Sequence, residues 1–166
     1  MTVAAPGRPL WAPFLLLAAS IVVVDQLTKA WITQALAPDG VIRLVGENLR
    51  LIYTQNSGAL FGLFRGQAAP FAILSLAVIA VIVAYHGRSG RNPYMTLTLG
   101  LLLGGAIGNA IDRLRLTYVV DFVDAGIGDL RFYTFNVADS CISAAVLLLL
   151  LMAIRPRLAE PRGVAS

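Results

Sequence analysis

Phe135-Asn-Val-Ala-Asp139-Ser-Cys-Ile-Ser-Ala-Ala-Val-Leu-Leu-Leu-Leu-Leu-Met-Ala-Ile154 is the stretch whose reading decides the fold. A helix needs about 20 mostly apolar residues to cross a hydrocarbon core of roughly 30 Å. This segment supplies them, with the leucine run Leu147 to Leu151 in its interior. Working outward, three more segments read the same way: about Trp11 to Leu36, about Pro70 to Tyr85 (the shortest) and about Tyr94 to Ile111. Composition agrees. Of the 166 residues, 58% are hydrophobic and 13% charged, against roughly 45–50% and about 25% in soluble chains. Mean hydropathy is +0.77. A disordered chain, a nucleic-acid-binding tail and an ordinary soluble enzyme are excluded. The expectation is one integral membrane domain over residues 1–166, an all-α membrane protein with four transmembrane helices. A cleaved leader is a poor reading of the first segment, which is long and carries Asp25 and Lys29 where a continuous apolar core would be expected.

Four spans put both termini on one side. The termini and the His86–Pro93 loop hold six arginines, and the two other loops, about residues 37–69 and 112–134, also hold six. The first set is packed into a shorter length, so positive density predicts cytoplasmic termini and two outward loops. In the first outward loop, Val41 to Tyr53 is β-branched and alternating, broken by Gly46-Glu47-Asn48, which predicts a small hairpin. Asn56-Ser57 then precedes Gly58-Ala-Leu-Phe-Gly-Leu-Phe64, a short helix with a capping residue and side chains suited to the membrane interface.

Ionisable groups inside spans cost on the order of 2.5–3.5 kcal/mol on insertion scales, so each needs a reason. Asp25 and Lys29 stand four apart on one helix face and read as an ion pair. The alternative, Lys29 as general base of a Ser–Lys pair, lacks a serine at suitable spacing, and Asp25 would keep the amine protonated. Gly100, Gly104 and Gly108, with Gly105 beside them, form a small-residue stripe for close helix packing. The stripe ends in Asn109-Ala-Ile-Asp112, and the fourth helix opens with Asn136-Val-Ala-Asp139. Opposite helix directions bring both Asn-x-x-Asp motifs to the same depth on the same face. Asn136 and Asp139 also fit a capping box. Asp121 lies in the apolar run Val119-Val-Asp-Phe122, as a turn residue or as a carboxyl held in an apolar pocket. Asp112 and Arg113 suggest a local ion pair or a helix-end contact, and Asp124 and Asp129 read as turn or solvated positions. The single Cys141 and single His86 remove multi-Cys and His-cluster metal sites. Two carboxylates close together cannot comfortably both ionise and can act as acid and base on a carbonyl. Spacing leaves open which two of Asp112, Asp121 and Asp139 pair.

Asp25-Gln-Leu-Thr-Lys29, Asn56-Ser-Gly58-Ala-Leu-Phe61-Gly62, Gly104-Gly-Ala-Ile-Gly108-Asn109-Ala-Ile-Asp112-Arg113, Val120-Asp121-Phe122 and Phe135-Asn136-Val-Ala138-Asp139 resemble, in order, the motifs of bacterial lipoprotein signal peptidase (signal peptidase II). The resemblance implies an aspartyl endopeptidase of the inner membrane, sensitive to globomycin. It would cut prolipoproteins before a Cys that carries a diacylglyceryl group. By motif, the catalytic dyad falls on Asp121 and Asp139. Asp25, Lys29, Asn56, Gly58, Asn109, Asp112, Arg113, Asn136 and Ala138 fall on supporting or substrate-lining positions. The outward hairpin and short helix, Val41 to Phe64, would clasp the substrate. Lipidated precursors and membrane lipid are the implied partners, with no nucleic acid, metal or cofactor, and the chain is expected to work as a monomer. Two positions depart from the family pattern. Thr117 stands where glycine is usual, which would strain the turn if positive φ is needed there. Leu60 stands where a small residue is common. The rival readings are a small transporter or channel subunit with Asp25, Lys29 and Asp139 as a polar pathway, and a structural partner held by the glycine stripe.

Overall fold

The computed structural model describes residues 8–58, 68–89 and 92–158. Four long helices carry a four-stranded antiparallel sheet at one end. They are α1 (Trp11–Leu36), α2 (Ala68–Ser89), α3 (Pro93–Leu116) and α4 (Val137–Ile154). All four are long and apolar enough to cross a membrane. The strands β1 (Val41–Val45), β2 (Leu49–Asn56), β3 (Val119–Ile127) and β4 (Leu130–Arg131) lie in that order across the sheet. The expected hairpin is β1–β2, and its turn uses Gly46 at φ +51°. The short helix expected over Gly58 to Phe64 falls almost wholly on residues 59–67, outside the described residues, as does Leu60.

The second outward segment is the main departure. It read as a loop, but Val119 to Ile127 is a strand that joins the hairpin by pairing with β2, with Thr54 opposite Asp121 and Asn56 opposite Val119. The Val119–Phe122 run is therefore a buried strand, and Asp121 is not a turn residue.

Helix α3 is the centre of the bundle, and the other three pack on it. Its glycines explain how. A Cβ at Gly100 would lie 2.8 Å from the Leu17 side chain, and one at Gly104 would lie 2.7 Å from Ile21 Cβ. One at Gly108 would lie 2.6 Å from Asp25 Oδ2, so these three glycines admit α1. Gly105 faces α4 instead, where a Cβ would lie 2.6 Å from the Ala138 carbonyl oxygen. Asn92 caps α3 by accepting from the Tyr94 and Met95 N–H groups, with Pro93 at the first helical position. α3 continues past Ile111 to Leu116, which places Asp112 and Arg113 inside the helix. It stops at Thr117, whose φ of +66° makes it the sole non-glycine with positive φ among the described residues.

Two apolar clusters organise the packing. Phe14, Ala18, Ile82, Leu99 and Leu103 fill the space between α1, α2 and α3. Ile32 and Leu36, at the end of α1, meet Val120 and Phe122 of β3 and seat the sheet on the helices. At the opposite end, His86 is fully buried, stacked on Phe14 at 3.9 Å and edge-on to Trp11, far from the acids.

Candidate active site

Where β3 crosses the ends of α1, α3 and α4, the polar residues picked out by the sequence converge. The capping box at α4 forms in full. Asn136 Oδ1 accepts from the Asp139 N–H at 2.9 Å, and Asp139 Oδ2 accepts from the Asn136 N–H at 3.3 Å. This fixes Asp139 in the first turn, where the helix dipole favours a carboxylate. It also aims the Asn136 amide at the sheet. Its Nδ2 donates to Asp121 Oδ1 at 2.7 Å and lies 3.1 Å from Asn109 Oδ1. The Asn109 amide in turn donates to Asp139 Oδ1 at 2.8 Å. Asp121 and Asp139 are thus linked through two buried asparagines, each presenting Nδ2 to one carboxylate. Asn56, at the end of β2, donates to Asp121 Oδ2 at 2.9 Å and accepts the Gly58 N–H at 3.2 Å.

A second layer holds the asparagines. Lys29 Nζ lies 2.8 Å from Asp25 Oδ2 and 2.9 Å from Asp112 Oδ2, and donates to Asn109 Oδ1 at 3.0 Å. Three acceptors take its three N–H bonds, so Lys29 has no free lone pair with which to act as a base. By filling Asn109 Oδ1, it turns the Asn109 NH₂ toward Asp139. Asp25 Oδ1 accepts the Ala138 N–H at 3.0 Å and ties α1 to the start of α4. Of the two readings for Asp112, the helix-end contact is the one that forms, and Arg113 is not its partner. Asp112 accepts from Gln26 at 2.9 Å and from the Val120 N–H at 3.1 Å, tying α3 to β3 one residue before Asp121. Every carboxyl oxygen of Asp25 and Asp112 is hydrogen-bonded, as burial of polar groups requires.

Spacing left open which two of Asp112, Asp121 and Asp139 pair, and the three carboxyls differ in their partners. Asp121 and Asp139 share one network, while Asp112 belongs to the Lys29 layer behind it. Asp121 is 1% exposed. Burial pushes its carboxyl from the ordinary range to about 7, and the Asp139 charge adds to the rise. Hydrogen bonds from Asn56 and Asn136, and the Lys29 charge, act in the opposite direction.

Two site features escaped the sequence. Gln26 bridges Asp25, Asp112 and the Gly108 carbonyl; its place beside Asp25 was the available signal. Asp124, read as a turn or solvated position, is instead a buried strand residue that takes hydrogen bonds from Arg50 at 2.8 Å and Arg131 at 3.0 Å. Burial opposes ionisation there, but those two guanidiniums hold its carboxyl below the usual range. Its partners are 74 and 7 residues away, and no local pattern announces the longer pairing.

A cavity of about 310 Å³ opens on Asp139. Asn56, Asn109, Arg113, Tyr133 and Asp139 line its polar end, and Phe71, Leu74, Val78, Ala106 and Ile142 its apolar end between α2, α3 and α4. The Arg113 guanidinium lies over the Phe71 ring, 5.8 Å from the centroid. Among the described residues no three His, Cys, Asp or Glu side chains stand together as a metal site.

Four apolar helices under a sheet, with two linked carboxyls at their junction and a cavity beside them, make a membrane protein with groups suited to acid–base chemistry. Comparison with known proteins agrees. The family pattern described as "Signal peptidase (SPase) II" (Peptidase A8) matches residues 17–155. The lipoprotein signal peptidase of Syntrophomonas wolfei is 39% identical over 153 residues, 92% of this chain and 97% of that protein. That of Syntrophotalea carbinolica is 41% identical over 142 residues, covering 82% and 88%. A bacterial membrane enzyme solved by the in meso method at 2.3 Å superposes with a TM-score of 0.84 at 26% identity, covering 96% of this chain and 98% of that one. The chain belongs to the signal peptidase II family.

Proposed function

We propose that this chain removes signal peptides from prolipoproteins in the bacterial cytoplasmic membrane, cutting before a diacylglyceryl-modified Cys, with Asp121 and Asp139 as the catalytic dyad. The observation that carries the reading is the linkage of these two carboxyls through Asn136 and Asn109 beside a cavity that passes from polar to apolar. A lipidated peptide entering from the membrane would lay its apolar part against α2, α3 and α4 and its scissile bond against the acids. The termini are assigned to the cytoplasm and the sheet to the outer face by charge density.

The chemistry follows from the two environments. Asp121, protonated up to about pH 7, serves as the acid that donates to the scissile carbonyl oxygen. Asp139, fixed in the first turn of α4 and hydrogen-bonded by the Asn109 amide, takes a proton from water as the base of the pair. The water oxygen bonds to the carbonyl carbon. Collapse of the tetrahedral intermediate breaks the C–N bond as the proton from Asp139 passes to the leaving amine and the hydroxyl made from the carbonyl oxygen returns its proton to Asp121. Arg113 and Tyr133 line the entry, and Asp25, Lys29, Asp112, Gly58 and Ala138 support the pair.

The test is cleavage of a lipidated precursor by Asp121→Asn and Asp139→Asn. Each should lose about 10³-fold or more in kcat with the fold intact, since an amide can neither donate an acidic proton nor accept one. A fully active variant at either position would sink the assignment. Asp112→Asn is the control. It should lose stability and part of the activity, because Asp112 touches Lys29 and Val120 and not the dyad.

A further inference from the structure

Outside the helices, the most exposed large apolar side chains among the described residues gather on one turn. Ile127 and Leu130 face each other across the β3–β4 turn, 79% and 82% exposed, and Phe132 follows at 66%. Those first two values exceed that of any large apolar side chain on the four helices, whose outer faces meet lipid. A turn tip in water takes polar residues; an apolar tip marks an interaction surface. Gly128, at φ +56°, lets the turn close tightly, and Asp129 beside it supplies the tip's single charge. Arg131 folds away, donating to Asp124 Oδ1 and, at 2.7 Å, to the Glu47 carbonyl oxygen.

The position of the tip identifies its partner. Phe132 packs edge-on against Phe135, with centroids 6.0 Å apart, and Phe135 directly precedes the α4 cap. No charged residue stands between Arg131 and Asp139. The apolar surface of the hairpin is thus continuous with the end of a membrane-spanning helix. We propose that the β3–β4 hairpin is a membrane anchor whose tip, Ile127, Leu130 and Phe132, inserts into the lipid surface on the side of the sheet. It pins β3, and with it Asp121, at the level of the bilayer. The proposal does not depend on which carboxyls are catalytic.

The test uses the full chain in single-copy nanodiscs on a Cys141→Ala background. Ile127→Cys and, separately, Leu130→Cys carry an environment-sensitive fluorophore, with Glu47→Cys in the neighbouring β1–β2 turn as control. Lipids brominated in the upper acyl chain should quench the tip labels about threefold or more above the control, with aqueous iodide showing the reverse order. Adding Leu130→Ser and Phe132→Ser to the Ile127→Cys chain should return its label to iodide, which separates insertion of the hairpin from the label's own affinity for lipid. Equal quenching of tip and control would overturn the proposal. So would lipid-independent shielding that appears only with added precursor, or only in nanodiscs holding two copies, since the tip would then contact substrate or a second chain.

Discussion

Asn56 is the residue that most directly tunes Asp121. Its amide donates to Asp121 Oδ2, a bond that favours the ionised form, so removing it raises the carboxyl further. If Asp121 is the acid, kcat falls as pH rises through about 7, because ionisation removes the proton to be donated. Asn56→Ala should move that falling limb to higher pH while lowering the maximum rate. A limb that stays put or moves down would remove Asp121 from the acid role. The limb belongs to the coupled pair, so its midpoint is a property of both carboxyls. Thr117 supplies a second test at this scale. It ends α3 in the left-handed region, where a β-branched residue is strained by roughly 1–2 kcal/mol. Thr117→Gly relieves that strain at the cost of a freer unfolded chain, for a net gain of up to about 1 kcal/mol. A thermal unfolding midpoint in detergent that fails to rise would show that neighbouring contacts, not strain, govern the turn.

At the scale of elements, the contact between α1 and α3 sets the geometry of the Lys29 layer. Gly108 meets Asp25 Oδ2 where a Cβ would stand at 2.6 Å. Gly108→Ala should therefore displace Asp25 from Lys29 and from the Ala138 N–H, costing about 1–3 kcal/mol by overpacking and lowering kcat together with stability. Gly104→Ala, against Ile21 and the Ala18 carbonyl, should cost a similar amount of stability with less effect on kcat. Equal effects on kcat would mean that helix separation, not Asp25, transmits the change. The helices were legible in the chain because membrane spans announce themselves by length and composition alone. The β1–β2 hairpin was legible from alternation and a glycine turn. Strand β3 was not. Its partner β2 lies about 65 residues earlier, and its Asp121, Asp124 and glycines resemble loop chemistry until β2 pairs with it. Burial of Asp124 depends on Arg50 across that same ladder.

For the molecule as a whole, the candidate site was legible in parts list but not in wiring. The two Asn-x-x-Asp repeats announced a common depth. That Asn109 serves the acid of the other repeat, and Asn136 an acid from the sheet, depends on how three chain segments meet. The same meeting makes orientation a functional matter: Asp121 comes from the sheet and Asp139 from a span, so the pair lies on whichever side of the membrane the sheet occupies. Lysine and arginine are retained in the cytoplasm most strongly when they sit close to span ends in short loops. Arg88, Arg155 and Arg157 stand at or just beyond the ends of α2 and α4 opposite the sheet. At the sheet end, Arg43, Arg50 and Arg131 lie on strands, with Arg50 and Arg131 in the Asp124 cluster, and Arg113 and Arg115 in the last turn of α3 are the two that oppose this bias. The termini should thus be cytoplasmic, and Asp121 and Asp139, the proposed dyad, should face out. A green fluorescent protein fused to the C-terminus should fluoresce, and alkaline phosphatase at the same place should be silent. The opposite pair of results would turn the sheet to the cytoplasm and require precursors to be cut on the inner face.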